Sequence, residues 1–369
     1  MRRVGRGAGF RPAVGAALLG LLTAVAGCAG EGSGRSADAP GGTAGAGGPT
    51  AVPSAPAASS GAEAGAGSGT LPQLPGQTFY VSDQTPVARQ SAVLRGQGRT
   101  AEADSLLRIA AQPSSHWLGD QAARDIADQV SRSAARADRT PVFVVYNIPH
   151  RDCGLYSAGG ASDAAAYRSW ITGLAEALGD RRAWVVLEPD AIAHTLDNCG
   201  VKGDAAAERY GLLAFAVQEL KKRPQVRVYL DAGNPGWTQD LPALAGALRR
   251  SGIAAADGFA VNVSNFFTTD RNAAYGAQLS ALLDGKHFVV DTSRNGNGPL
   301  DAEAWCNPPG RALGAPPTTE TGRPGVDAYL WIKNPGESDG ECGRGEPPAG
   351  EFWLPYALGL TGAVAGTAR

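Results

Sequence analysis

Short apolar runs recur along this chain, each ending in polar residues and followed by an amphipathic stretch. The clearest is Trp184-Val-Val-Leu187, cut off by Glu188-Pro189-Asp190. Four apolar residues in a row fit a strand buried on both faces, as in a parallel sheet. Pro189 cannot continue a ladder, so Asp190 falls just past the strand's C-terminal end. Further strands are predicted at 141–147, 226–230, 258–263, 287–290 and 328–332. Residues 114–118 read as a short strand or loop, and 78–81 open the folded region. Helical spacing of apolar residues predicts helices at 101–111, 120–134, 164–178, 205–222, 244–249 and 273–283. Strand and helix thus alternate six or seven times. That alternation predicts an α/β fold with a parallel sheet, and its count and size favour a closed or nearly closed barrel.

Polar residues fall in a pattern against those strands. Asp152, Asp190, Asp231, Asn265, Asp291 and Lys333 each follow the C-terminal end of a predicted strand. One carboxylate at a strand–helix junction commonly caps the helix. Six polar groups on one rim match the layout of a barrel active site, where catalytic groups gather at the C-terminal edge. A carboxyl against apolar wall, as at Asp190, is a candidate acid with a raised pKa.

Composition adds the cellular setting. The 369 residues carry 33 bases and 35 acids, a net charge of −2, which leaves no nucleic-acid footprint. Residues 1–27 read as a secretory signal, with Arg2, Arg3, Arg6 and Arg11 ahead of an apolar run. The run ends Val25-Ala26-Gly27-Cys28, which resembles a bacterial lipobox with Cys28 as the lipidated residue. Loss of the four signal arginines leaves 29 bases against 35 acids, a charge of −6. Of residues 29–70, 37 of 42 are Ala, Gly, Ser, Pro or Thr, too little apolar surface to offset ordering entropy. Residues 28–70 are therefore predicted to be a tether with a reach of about 35–40 Å. The folded domain is expected over 71–369, held by the lipid at the outer face of the cell membrane or partly released. Cys153, Cys199, Cys306 and Cys342 remain; in an exported protein they imply two disulfides with three possible connectivities. Sequence proximity favours Cys153–Cys199 and Cys306–Cys342.

Paired carboxylates near aromatic residues are the apparatus of glycoside hydrolysis. Trp117, Trp237 and Trp305 are placed in loops, where indole faces can stack on sugar rings. Tyr146 ends its strand close to the rim. Other chemistries lack their residues: there is no Gly-x-Ser-x-Gly elbow, His-Glu-x-x-His helix or Walker loop. His116, His150, His194 and His287 show no zinc spacing. The segment from Asp291 has Ala302 where a calcium loop needs a bidentate Glu. No metal and no cofactor are expected.

Tyr146-x-x-Pro149-x-Arg151-Asp152-Cys153-Gly with Gly159-Gly160, and Val185-Val-Leu-Glu188-Pro-Asp190, resemble the two signatures of glycoside hydrolase family 6. Trp305-Cys306-Asn307 and Lys333-x-x-x-Glu337-x-Asp339 resemble its substrate-binding and base segments. The resemblance runs from about Phe79 to the C-terminus. It implies a distorted, partly open parallel β/α barrel (TIM-like, about seven strands) that cuts β-1,4-glucan with inversion. By that resemblance Asp190 is the general acid, Asp152 raises its pKa and helps pass its proton, and Asp339 matches the debated base. Tyr146, Trp117, Asn234, Trp237, Asn265, Trp305, Lys333 and Glu337 match sugar-contacting positions. Arg151 is expected to pair with a loop carboxylate. The resemblance also implies the disulfides Cys153–Cys199 and Cys306–Cys342, each pinning an active-site loop. Two positions depart from the pattern: Asn234 stands where many members have His, and Ala158 lies beside Ser157 in the glycine-rich loop.

Only 36 positions separate Cys306 from Cys342, too few for the long insertions that roof exo-acting members. The expectation is therefore an open cleft and an endo-acting enzyme on soluble or amorphous glucan, monomeric, with membrane contact through its anchor. The alternatives are a glucan-binding lipoprotein without catalysis, or a hydrolase of a mixed-linkage or cell-envelope glucan.

Overall fold

The computed structural model describes residues 78–362 apart from 198, 200, 302 and 303. The predicted signal (1–27), the tether (28–70) and the lipidated Cys28 lie outside the described residues. Helices α1 (Pro86–Gly96) and α2 (Thr100–Ala110) come first. Strand β1 (His116–Leu118), helix α3 (Ala123–Arg136), β2 (Val142–Val145), α4 (Ala164–Leu178) and β3 (Ala183–Leu187) follow. Next come α5 (Ala193–Leu196), α6 (Asp204–Lys221), β4 (Val226–Asp231), α7 (Leu241–Arg250) and β5 (Gly258–Val261). The chain ends with α8 (Thr269–Leu282), β6 (His287–Asp291), β7 (Val326–Leu330) and α9 (Leu354–Leu360).

All seven strands pair in sequence order and in parallel. The sheet curls into a barrel whose first and last strands do not pair as a ladder among the described residues. The seam is tied instead at its top. Ser115 N–H donates to the Trp331 carbonyl at 3.2 Å, and Trp117 Nε1 donates to the Ile332 carbonyl at 2.9 Å. The Ser115 hydroxyl donates to the Ile332 carbonyl as well. The predicted barrel is thus present in its partly open, seven-stranded form.

Strand side chains alternate between two apolar layers, which explains why the sequence shows continuous apolar runs. Phe143, Val145, Val185, Leu187, Val228, Leu230, Val261 and Val290 face the helices. Val142, Val144, Trp184, Val186, Tyr229, Ala260, Val289, Ala328 and Leu330 fill the barrel with Phe79, which makes a single bridge to Thr140. Phe79 is fully buried edge-on to Trp184, with ring centroids 5.1 Å apart. The opening segment 78–81 is therefore a plug with one bridge rather than a strand.

Several elements differ from the sequence reading. Helix α1 was not predicted, because its buried seam is Val87, Ser91 and Leu94 with a serine in the middle. Ser91 satisfies its hydroxyl on the Ala103 carbonyl of α2 at 2.9 Å, which makes that burial tolerable. The short helices α5 and α9 also escaped the pattern. Trp117, expected in a loop, is the central residue of β1 and pairs in register with Val144. Among the described residues the long connection from β6 to β7 holds no helix, and it carries Arg294 and Cys306.

Candidate active site

The C-terminal ends of the strands open into a cleft of about 860 Å³. Its wall contains all eleven candidate residues: Asp190, Asp152, Asp339, Tyr146, Trp117, Asn234, Trp237, Asn265, Trp305, Lys333 and Glu337. Two of the six rim residues, Asp231 and Asp291, are absent from the wall. They are buried beneath it, at 1% and 0% exposure, as the last residues of β4 and β6. Their carboxylates collect backbone N–H groups that the curled strands leave unpaired. Asp291 accepts from Ser264, Ser293 and Lys333 at 3.0, 2.9 and 3.0 Å, tying together the tops of β5, β6 and β7.

Asp231 does the same for the residue at the centre of the cleft. Its Oδ2 accepts the Asp190 N–H at 3.0 Å and the Gly233 N–H at 3.1 Å. Its Oδ1 is buried without a hydrogen-bond partner, and burial pushes this carboxyl up to about 7. Asp190 is part-buried above it at φ 69, and Glu188 precedes it at φ 50. Left-handed backbone at two non-glycine residues stores strain of the kind found at functional sites. Burial raises the Asp190 carboxyl well above the usual range; repulsion from Asp231 and then Asp152 adds to it, and a hydrogen bond with Tyr146 opposes it. The sequence points to the apolar wall and to Asp152 as causes of that rise, and does not point to Asp231. Burial and Asp231 rank ahead because Asp231 lies directly under the Asp190 backbone.

Glu188 anchors the neighbouring loop. Its carboxylate accepts the N–H groups of Asn147 and Ile148 at 2.9 Å each, joining the end of β3 to the end of β2. Burial, only partly offset by these bonds, lifts it to about 7. From there the chain turns at His150, Asp152 and Cys153, all at positive φ, and enters the glycine-rich loop. Asp152 Oδ2 accepts the Ser157 N–H at 2.6 Å, and burial raises this carboxyl too. Gly160 ends the loop at φ 99, where an added Cβ would lie 1.9 Å from the Ile148 carbonyl, so only glycine fits. Among the described residues Arg151 does not form the expected ion pair with a loop carboxylate. It donates to the carbonyls of Ser157 and Tyr146, because the loop folds back over its guanidinium. It also stacks on the Tyr146 ring at 4.9 Å.

On the opposite wall, Asp339 is held by cations. Its Oδ2 accepts from Arg294 Nη1 at 2.8 Å and from the Asn307 N–H at 3.0 Å, and its Oδ1 lies 3.6 Å from Lys333 Nζ. Arg294 is fully buried and also donates to the Ser264 carbonyl at 2.6 Å. The sequence reading passed over it. Its only signal is a position three residues beyond the end of β6, the rule that singled out the other rim residues. Glu337 pairs with Asn334 at 2.9 Å, and burial raises its carboxyl against the nearby Lys333.

Aromatic faces line the cleft between these poles. Trp117 meets Tyr146 edge-on, centroids 5.4 Å apart. The Trp237 indole donates to Asp197 Oδ2 at 3.0 Å and meets the His194 ring at 5.0 Å. Asn234 accepts the N–H groups of Gly236 and Trp237 through Oδ1, at 3.0 and 3.2 Å, so it shapes the turn that presents Trp237. Asp197 and His194 had no sequence assignment. Above the cleft, the Tyr156 ring packs on Gly340, where a Cβ would lie 2.4 Å from it, and contacts Trp305 at 6.1 Å. The segment leading into the glycine-rich loop therefore touches the connections before and after β7, and Tyr156 and Trp305 both line the cleft.

Both disulfides follow the pairing that sequence proximity favours, Cys153–Cys199 and Cys306–Cys342, with Cα atoms 5.8 and 6.2 Å apart. The first joins the Asp152 loop to the segment holding Asp197. Cys153, His194 and Cys199 lie within 4.8 Å of one another. Their sulfurs are bonded to each other, which removes the thiolates a metal would need.

The model of the glycosyl hydrolases family 6 matches residues 74–363. The chain is 42% identical over 290 residues to endoglucanase A of Cellulomonas fimi, covering 77% of this chain and 61% of that one. It thus spans about three fifths of the length of that relative. It is 41% identical over 285 residues to endoglucanase 1 of Streptomyces halstedii, covering 74% and 85%. Among solved structures it is similar to the endoglucanase Cel6 of Mycobacterium tuberculosis in complex with methyl-cellobiosyl-4-deoxy-4-thio-β-D-cellobioside. The TM-score is 0.72 at 44% identity, covering 78% of this chain and 97% of that one.

Proposed function

The chain belongs to the glycosyl hydrolases family 6, and from that premise we propose that it is an inverting endo-β-1,4-glucanase acting on cellulose-type glucan, with Asp190 as general acid. The observation that carries this reading is the Asp190 carboxyl in the cleft wall, crowded by Asp231 and Asp152 and raised well above the usual carboxylate range. A carboxyl whose proton is held more tightly in this way is suited to give it to a glycosidic oxygen. Relatives named endoglucanases, at 41–44% identity, support the substrate class.

In the proposed reaction a glucan lies along the cleft with sugar faces on Trp117, Trp237 and Trp305. Asp190 protonates the departing oxygen while water attacks the anomeric carbon from the opposite face. Tyr146 holds the Asp190 carboxyl, and Asp152, on its own loop, receives or replenishes the proton. Oδ2 of Asp339 already accepts two hydrogen bonds, which leaves Oδ1 as the oxygen toward which the attacking water's proton passes. Asn265, Lys333 and Glu337 supply hydrogen bonds to sugar hydroxyls, and Asn234 sets the Trp237 turn. The protein works tethered at the outer membrane face through Cys28, a reading supported by the lipobox and the Ala/Gly-rich tether.

The test is viscosity against new reducing ends on soluble carboxymethyl-cellulose, wild type beside Asp190→Ala, with the first anomer formed read by NMR. A rapid viscosity fall with few new ends, an initial α-product and loss of all three in the variant are expected. A folded wild type that binds cello-oligosaccharides and leaves them intact would make it a binding protein.

A further inference from the structure

Arg209 is 3% exposed on α6, outside the cleft, and forms no ion pair among the described residues. Its Nη2 donates to the carbonyls of Pro149 and His150 at 3.0 Å each, and its Nη1 to the Ala191 carbonyl at 3.4 Å. The first two carbonyls lie three and two residues before Asp152. The third belongs to the residue after Asp190. Glu188 collects the N–H groups of Asn147 and Ile148 in the same loop, so its backbone donors go to an anion and its acceptors to a cation.

We infer that Arg209 is a positioning residue for the proposed glycosidase reaction: a clamp on a rigid helix that holds the Asp152 loop against the Asp190 loop. The inference rests on the hydrolase reading. A planar guanidinium suits the task because its fixed fork of donors spans carbonyls from two loops at once, whereas an ammonium is a single point of attachment. A buried charged side chain is costly to hold without such bonds. Among the described residues every Arg209 side-chain hydrogen bond goes to these two loops, and α6 is fastened to the barrel by Leu213, Ala216, Val217 and Leu220.

Loss of the clamp lets the two carboxyls drift apart. Asp190 faces Asp231 at the end of β4, Asp152 and Tyr146 from beyond β2, and Asp197 from the segment after β3; the Arg209 guanidinium faces Glu188, Tyr146, Tyr210 and Asp197 instead. Weaker crowding lowers the pH at which Asp190 gives up its proton, so the alkaline limb of kcat/KM moves toward acid. Arg209 also lines a second cavity of about 620 Å³ behind the loops, bounded by Cys153, Cys199, Val201 and Glu208. Truncation at 209 opens into that space, giving a small cation a way back in.

The experiment compares wild type, Arg209→Ala and Arg209→Lys by thermal unfolding, cello-oligosaccharide affinity, kcat and pH profile, with and without millimolar guanidinium. In Arg209→Ala the expected result is affinity within about threefold of wild type, kcat about 10–100-fold lower and an acid-shifted alkaline limb. Guanidinium should restore part of both, ammonium at equal ionic strength neither, and Arg209→Lys should fall between. A folded Arg209→Ala with wild-type kcat and limb overturns the clamp. So does a parallel loss of affinity and kcat that guanidinium leaves unchanged. If Arg209→Ala does not fold, Arg209→Lys carries the comparison, and an unchanged kcat and limb there overturns it. Failure of the hydrolase reading is distinguishable, since it appears in the wild type as intact substrate and overturns the clamp with it.

Discussion

Replacing Asp190 with Asn should push activity and stability in opposite directions. Asn has the same shape, tolerates φ 69 and keeps the backbone N–H that Asp231 accepts, so the fold is undisturbed. The carboxyl it removes is held at a folded pKa above its unfolded value. Such a group is protonated in both states at low pH and contributes no difference there. As pH rises past about 4 the unfolded chain ionises first, and the fold loses stability until the folded carboxyl has also ionised. Each unit by which the folded value exceeds the unfolded one costs the ionised form about 1.4 kcal/mol, and burial with Asp231 and Asp152 alongside lifts the Asp190 carboxyl well above the usual range. The variant, whose amide oxygen can still accept from Tyr146, should therefore be more stable than wild type at pH 8, with a higher Tm. At pH 4 the gain should vanish. In activity, removal of a general acid costs about 10²–10⁴ in kcat on cello-oligosaccharides, or about 3–5 kcal/mol of barrier. An aryl cellobioside with a good leaving group should lose far less, because it departs unprotonated. Calorimetry from pH 4 to 8 and kcat on both substrates are the assays. A Tm gain independent of pH, or equal losses on the two substrates, would refute the reasoning.

Phe79→Ala should cost about 3–5 kcal/mol, since the ring fills the barrel against Trp184 and nothing nearby can collapse into its place; denaturant unfolding measures it. Asp197→Ala should raise KM by freeing the Trp237 indole, while Asp197→Asn, which keeps an acceptor for Nε1, should leave KM near wild type; equal effects would argue against the hydrogen bond. Cys28→Ser should move the protein from the membrane fraction to the soluble one, and persistence at the membrane would remove the lipobox assignment.

Hydrophobic period along the chain places the strands and the longer helices in order, though not α1, α5 or α9, and it marks the two-faced burial of the strands and the residues that gather at their ends. These are local properties. Period and breaker residues such as Pro189 settle which face a side chain takes and where a strand stops. Proximity in sequence favoured both disulfides, and the family signatures pointed to the same loops. What each rim residue does was decided only by tertiary structure. Asp190 and Asp231 are equivalent in sequence terms, both at strand ends, yet one faces the cleft and the other braces it from beneath. Sheet curl and the unpaired N–H groups it leaves decide between them. Arg294 and Arg209 read as ordinary surface arginines until chain distant by tens of residues closes over them. Trp117 is a strand residue because β2 lies beside it, and Tyr156 reaches Gly340 only when the ends of the barrel meet. A one-dimensional pattern records which face a residue occupies. The partner it meets depends on how the barrel closes, and in this cleft the partner sets the chemistry.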